Sequence, residues 1–406
     1  MSGRPQRLVC LATTAAIGGA ETSLLTLLRA LRQQEPGWTI TVVAPSEGPL
    51  LTRCAALGVR GMVLPYPAAL TRLGESGATG SRRRSAHQVS LAADGVRALA
   101  TVPGYLQALR QALVECDATV VHTNGIKAHI AGALARPAGI RLVWHLHEYV
   151  RARPLTASLL RRLVSRTDVV VVNSDSVLRD AHAAFRGRAR LRRIYNAVEP
   201  DRFTPQGARL DLAALAGMPD DAGLVRIGLV ATFGRWKGQD VFIDAVAALP
   251  RHAAVRAYIV GGAVYGTTGS QWSLDDLRER VQTRGLAATI GFTGHVDDVP
   301  AALRSLDVVV HASTRPEPFG MVIAEAMAAG RAVVAVRDGG AMELFEDRVE
   351  AVGVPLAHAG ALSAVLSELI DRAEWRACLG ARARAAARSR FSPARMAAEF
   401  REACVA

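Results

Sequence analysis

Residues 226–238 read Arg-Ile-Gly-Leu-Val-Ala-Thr-Phe-Gly-Arg-Trp-Lys-Gly, a short apolar run that breaks into a glycine-flanked turn. An apolar run without polar alternation is a strand buried on both faces, which calls for a parallel sheet covered by helices on each side. The run follows Asn196–Gly223, a stretch rich in Pro, Gly and Asp, and restarts a pattern that the chain has already used once. Before the break, Leu8–Leu11, Thr39–Val43, Thr119–His122, Arg141–His145 and Val169–Val172 read as strands, with Leu24–Leu31 and Leu106–Val114 as helices. After it come the strands Arg226–Val230, Ala257–Val260, Thr289–Phe292, Val308–His311 and Ala332–Val336. The expected architecture is two doubly wound α/β domains with a boundary near residues 197–222.

Size agrees, because 406 residues exceed what one hydrophobic core normally serves. Half of the residues are apolar and 21% are charged, a composition that builds cores rather than disorder. The net charge of +13 invites a nucleic-acid reading, but no basic run is interleaved with the aromatic residues that stack on bases. Only Lys127 and Lys237 of the 49 basic residues are lysines, so the excess reads as arginine bias in an alanine-rich chain plus a site for a phosphorylated ligand. Cys10, Cys54, Cys116, Cys378 and Cys404 are scattered without CxxC spacing, which argues against a disulfide framework and a zinc site and suits a reducing cytoplasm. Arg4 and Arg7 before Leu8–Ala16 imitate a signal peptide, yet the run ends in Gly18-Gly19 and reads as a first strand. No stretch is apolar for long enough to span a membrane. Thr71–Ser90, with Arg82-Arg83-Arg84, reads as a solvated loop, the alternative being contact with an acceptor or with the inner face of a membrane. From Glu374 onward the pattern is helical, broken at Ser392-Pro393, which caps a new helix.

In an open α/β sheet, ligands bind at the carboxyl ends of strands, where glycine turns bring backbone N–H groups to a phosphate. The first such turn is Ile17-Gly18-Gly19-Ala20-Glu21-Thr22; it lacks GxGxxG, so a nicotinamide or flavin site is not supported. The second is the turn at 231–238, where Lys237 would meet a diphosphate and Arg235 share the charge. The third is Glu317-Pro-Phe-Gly-Met-Val-Ile-Ala-Glu325, a loop running into a helix. It offers the backbone of Phe319, Gly320 and Met321 at a helix N-terminus, with Glu317 and Glu325 facing one ligand from different depths. Val143-Trp-His-Leu-His-Glu148 ends a strand; here His145 and His147 are expected on opposite faces, one toward the ligand and one in support. No DxD occurs and no third ligand lies at a familiar spacing from the histidine pair, so no metal site is expected.

Taken together, GGAE at 18–21, VVHTNG at 120–125, VWHLHE at 143–148, VVNSDS at 171–176, IYNAVEPDRF at 194–203, RWKG at 235–238, IGFTGHVDDV at 290–299 and EPFGMVIAEAMAAG at 317–330 resemble the family-four retaining glycosyltransferases of GT-B fold. The resemblance covers nearly the whole chain. It implies two Rossmann-like domains facing a central cleft: residues 1–196 on the acceptor side, 197–385 on the donor side, and a helix at 386–406 packing back on the first domain. It implies transfer of a sugar from a nucleotide-diphosphate sugar to a hydroxyl acceptor, without cofactor or metal, by an enzyme with no nucleic-acid partner. By the same resemblance the Gly18-Gly19 turn touches the donor, His145 lies against the donor sugar, and Lys237 holds the diphosphate. Glu317 and Glu325 match the two glutamates of the EX7E motif, for sugar hydroxyls and ribose, and Phe319, Gly320 and Met321 the phosphate cradle. One departure is the Ala231-Thr232 pair, where many members carry an arginine: either Arg235 replaces that guanidinium or the phosphate is held more weakly. The alternative readings are a nucleotide-sugar epimerase or phosphorylase of the same fold, or a sugar-nucleotide-binding protein without turnover.

Overall fold

The computed structural model describes residues 6–67, 101–219, 222–250, 252–263 and 269–405. The expectations for Thr71–Ser90 lie outside these residues. The chain divides into two compact units, Met1–Ala197 with Pro393–Ala406, and Val198–Ser392.

The first unit carries seven strands: β1 (Arg7–Ala12), β2 (Thr39–Ala44), β3 (Arg60–Val63), β4 (Val120–Asn124), β5 (Arg141–Leu146), β6 (Val169–Val172) and β7 (Leu191–Arg193). They form one parallel sheet in the order β3-β2-β1-β4-β5-β6-β7. Two apolar layers sandwich it. Leu8, Cys10, Val120, Val143 and Val171 meet helices Gly19–Gln34 and Pro393–Val405 on one face. Val9, Val121, Leu142, Trp144 and Val170 meet residues 101–115 and helices Ile126–Ala135, Pro154–Leu163 and Asp175–Phe185 on the other. Helix Pro393–Val405 begins at the Ser392-Pro393 break and buries Met396, Ala397 and Phe400 in the first layer.

The second unit repeats the plan with β8 (Val225–Val230), β9 (Val255–Val260), β10 (Ile290–Gly294), β11 (Val308–His311), β12 (Ala332–Val336) and β13 (Val352–Val354), ordered β10-β9-β8-β11-β12-β13. The two doubly wound α/β sheets agree with the fold read from the sequence. Strands β3, β7 and β13 are additions at sheet edges, where short pairing segments carry little apolar signal.

In each sheet the winding direction reverses once, between β1 and β4 and between β8 and β11. Loops leaving the two strands at such a point diverge to opposite faces and leave a crevice at the carboxyl edge. Gly18-Gly19 follow β1, Lys237 follows β8 and Glu317 follows β11, whereas His145 and His147 lie at the end of β5, one strand further along the first sheet.

Candidate active site

In the second unit, β8 ends in a 3-10 turn, Arg235–Lys237, closed by Gly238 at φ 74°. A Cβ there would lie 1.9 Å from the Ala312 carbonyl oxygen, so only glycine lets this turn press against the end of β11. The Thr314 N–H donates to the Trp236 carbonyl at 2.8 Å and joins the two loops. The consequence is a side-chain contact: Lys237 Nζ donates to Glu317 Oε1 at 2.6 Å.

Glu317 is fixed from several sides. Ser313 Oγ donates to the same Oε1 at 2.6 Å, His311 Nε2 stands 3.6 Å away, and the Gly340 N–H donates to the Glu317 carbonyl at 2.7 Å. Burial alone would push this carboxyl up, but the Lys237 ammonium and the His311 imidazole outweigh it and hold the group well below the usual carboxylate range. Glu317 is therefore a permanent anion at physiological pH, suited to accepting hydrogen bonds from hydroxyls and unsuited to donating a proton.

Gly320, in the left-handed region at φ 95°, caps helix Met321–Ala328. Phe319 turns its ring into the core, edge-on to Phe391 at 5.8 Å between centroids, so only its backbone faces the loop's ligand side. Glu325 sits on the second turn, half-buried; burial raises its pKa to about 7, against the pull of Arg202. Arg235 does not join Lys237: its guanidinium lies over the Trp272 ring at 3.8 Å.

In the first unit, Gly18 caps helix Gly19–Gln34, and its N–H donates to Glu21 Oε2 at 3.1 Å. Burial raises the pKa of Glu21, while hydrogen bonds from its own N–H and that of Gly18 oppose the shift. His145 ends β5 beside Asn124 of β4. The expectation that His145 and His147 face opposite ways is wrong, because side chains two positions apart on a strand share a face. Their rings lie 4.2 Å apart between centroids. His122 joins them, its Nε2 3.3 Å from His145 Nδ1, with Phe400 edge-on to its ring at 4.9 Å. Burial drives these imidazoles toward the neutral form, His122 to about 3 and His147 to about 4, with His145 lowered in the same direction. Nε2 of His145 and of His147, both amide atoms of Asn124 and Oδ1 of Asn173 are buried without a hydrogen-bond partner. An uncharged set of donors and acceptors at a strand-end crevice suits the hydroxyl groups of a neutral ligand.

Sequence reading missed His122, Asn124, Asn173, His311 and Ser313. His122 and His311 were visible as the last residues of expected strands; the others needed register and packing. Among the described residues no group of three or more His, Cys, Asp or Glu is placed to hold a metal ion, and no helix is long and apolar enough to cross a membrane.

Comparison with known proteins adds relatives for both units. The family model described as "Glycosyltransferase Family 4" matches residues 17–202, and that described as "Glycosyl transferases group 1" matches 223–386. The chain is 29% identical to D-inositol 3-phosphate glycosyltransferase of Nocardiopsis dassonvillei over 64% of each protein. It is 31% identical to the GDP-mannose-dependent alpha-(1-6)-phosphatidylinositol monomannoside mannosyltransferase of Mycobacterium tuberculosis over 54% of this chain and 56% of that protein. The matched segments thus span less than two thirds of these relatives. HepE of Anabaena, solved in complex with UDP-glucose, superposes with a TM-score of 0.76 at 25% identity, covering 97% of this chain and 98% of that one.

Proposed function

Because the chain belongs to the family-four glycosyltransferases of GT-B fold, we propose that it transfers a sugar, with retention, from a nucleotide-diphosphate sugar to a hydroxyl acceptor. The observation that carries this reading is the Lys237–Glu317 pair at the carboxyl edge of the second sheet, where two glycine turns bring a cation and a fixed anion together. Breaking a sugar–diphosphate bond requires that the leaving phosphates be neutralised and the positive charge developing on the sugar be stabilised. Lys237 and the backbone at Phe319, Gly320 and Met321 answer the first need. Glu317, held ionised, answers the second and orients sugar hydroxyls, with His145 as a neutral hydroxyl partner. Glu325 is assigned to the ribose. The departing phosphate takes the acceptor's proton, so retention needs no carboxylate nucleophile, unlike the two-carboxylate hydrolases. Arg235, stacked on Trp272, is retained only as a secondary contact, and the turn at Gly18-Gly19 as a backbone contact to the donor.

No metal takes part in this reading, because Lys237 and a helix N-terminus supply the charge. HepE, solved with UDP-glucose, and the GDP-mannose-dependent relative support a nucleotide-sugar donor, and a cytoplasmic setting follows from where such donors are made. The test is product analysis by NMR with nucleotide-sugar donors and polyol acceptors in the presence of a chelator. A glycoside with the donor's anomeric configuration is expected; an inverted product, or activity restored only by added divalent ion, contradicts the mechanism.

A further inference from the structure

Three side chains of the second unit converge on one carboxylate oxygen of Glu317. Lys237 Nζ and Ser313 Oγ each donate to Oε1 at 2.6 Å, while His311 Nε2 stands 3.6 Å from the same atom. That last distance falls just outside hydrogen-bond reach. Both ring nitrogens of His311 are buried without a hydrogen-bond partner, and the side chain is only 4% exposed. A buried imidazole held in that state carries a desolvation cost that a nearby acceptor could remove, and Glu317 Oε1 is that acceptor.

Its position explains why the contact stays open. His311 ends β11 beside Ala335 of β12, which brings no charge. The charges at its Nε2 are Glu317, from its own loop, and Lys237, from the turn after β8. Glu325 is the next titratable group along the chain. With the ammonium in place Glu317 is already neutralised, and a positive charge on the imidazole would be repelled by the first. A diphosphate changes that balance. Its negative charges draw off or share the Lys237 ammonium, so the carboxylate loses counter-charge while new anions approach. A buried carboxylate in that state is costly, and the His311 ring is the group placed to supply the missing charge.

We propose that His311 is a positioning residue: as Lys237 engages the diphosphate, the imidazole takes up a proton, closes on Glu317 Oε1 and keeps that carboxylate ionised and aimed at the sugar. The neutral ring has one N–H; the added proton, which comes from solvent, makes both nitrogens donors, and no bond of the ligand changes in this step. Ser313 holds the carboxylate in place while its cation is exchanged. The consequence is a linkage: donor binding consumes a proton, so donor affinity falls as pH rises. The inference rests on the assignment of Lys237 to the diphosphate and adds how the anion left behind is held.

The test is isothermal titration calorimetry of UDP, GDP and ADP, without divalent ions, on the wild type, His311→Gln and Glu317→Gln in buffers of different ionisation enthalpy. The dependence of the observed heat on the buffer counts the protons exchanged. Glu325, raised to about 7, and the terminal phosphate of the nucleotide also titrate near neutral pH, but they contribute alike in all three proteins. At a pH of about 7 the wild type should take up roughly half a proton or more per nucleotide beyond either variant, and its affinity should fall about threefold more per pH unit than theirs. Circular dichroism checks that the variants are folded. If His311→Gln does not fold, Glu317→Gln supplies the comparison, because the carboxylate that draws the proton is gone. Equal proton counts in the wild type and in either folded variant overturn the inference but leave the diphosphate assignment standing. Binding of no nucleotide to the wild type overturns both.

Discussion

Lys237 Nζ and Glu317 Oε1 lie 2.6 Å apart across 80 residues of sequence. The pair forms because Gly238 lets the loop after β8 press against the end of β11, on which the Glu317 loop begins. Replacing Glu317 by Gln keeps the shape and removes the charge. Transfer should fall by roughly 100-fold or more, as for loss of a preorganised group that acts in the transition state. Circular dichroism should show an intact fold, with stability lowered by about 1–3 kcal/mol because Lys237 loses its partner. Turnover like that of the wild type in the folded variant would remove Glu317 from the site.

Gly238→Ala tests the turn itself. The new Cβ meets a backbone carbonyl that cannot rotate away, and φ 74° is unfavourable for alanine. A loss of about 2–4 kcal/mol and of nucleotide binding is expected in thermal and calorimetric measurements. A variant that binds nucleotide with wild-type stability would show that the loops are not coupled this way.

His145 and His147 now carry a different expectation from one based on opposed faces. Their rings touch, so His147→Ala should disturb His145 as well and lower the transfer rate, where a residue on the far face would affect stability alone. His145→Ala should lower the rate further while leaving affinity for the free nucleotide within about twofold, because the nucleotide is assigned to second-unit residues. Full activity in His145→Ala would refute its role.

Most of the fold was legible because strands buried on both faces are written as unbroken apolar runs such as Val169–Val172 and Val308–Val310. Edge strands were not: Arg60–Val63 is largely exposed, and Leu191–Arg193 holds one apolar residue in three. In the site, the turn with Lys237 and the loop with Glu317 could be read separately, since glycine and proline mark them. Their meeting could not, because it depends on which strands are neighbours. His122 escaped for the same reason, being placed against His145 by the β4–β5 register.

The two units should respond to pH in opposite senses. Burial lowers the pKa of His122 and His147 from 6.5 to about 3 and about 4, so the native state binds fewer protons than the unfolded chain between those values and 6.5. The first unit should therefore lose stability as pH falls below 6.5. Glu325 is displaced upward from 4.5 to about 7, so its native state holds an extra proton in that window, and stability is lost as pH rises through it. Melting curves of Glu325→Gln should lack the second dependence, by roughly 1 kcal/mol or more near pH 8, and retain the first. An identical pH profile in the variant would mean that Glu325 does not titrate there.

The central claim is that Lys237 holds a nucleotide diphosphate. It is tested most directly by titrating UDP, GDP and ADP into wild type and Lys237→Ala in one thermal-shift series without divalent ions, since a ligand that binds only the native state raises the melting temperature by mass action. At least one nucleotide should stabilise the wild type, and that shift should fall by most of its size in Lys237→Ala, whose own melting temperature supplies the baseline. Stabilisation of equal size in both proteins, or none by any nucleotide in either, would contradict the account.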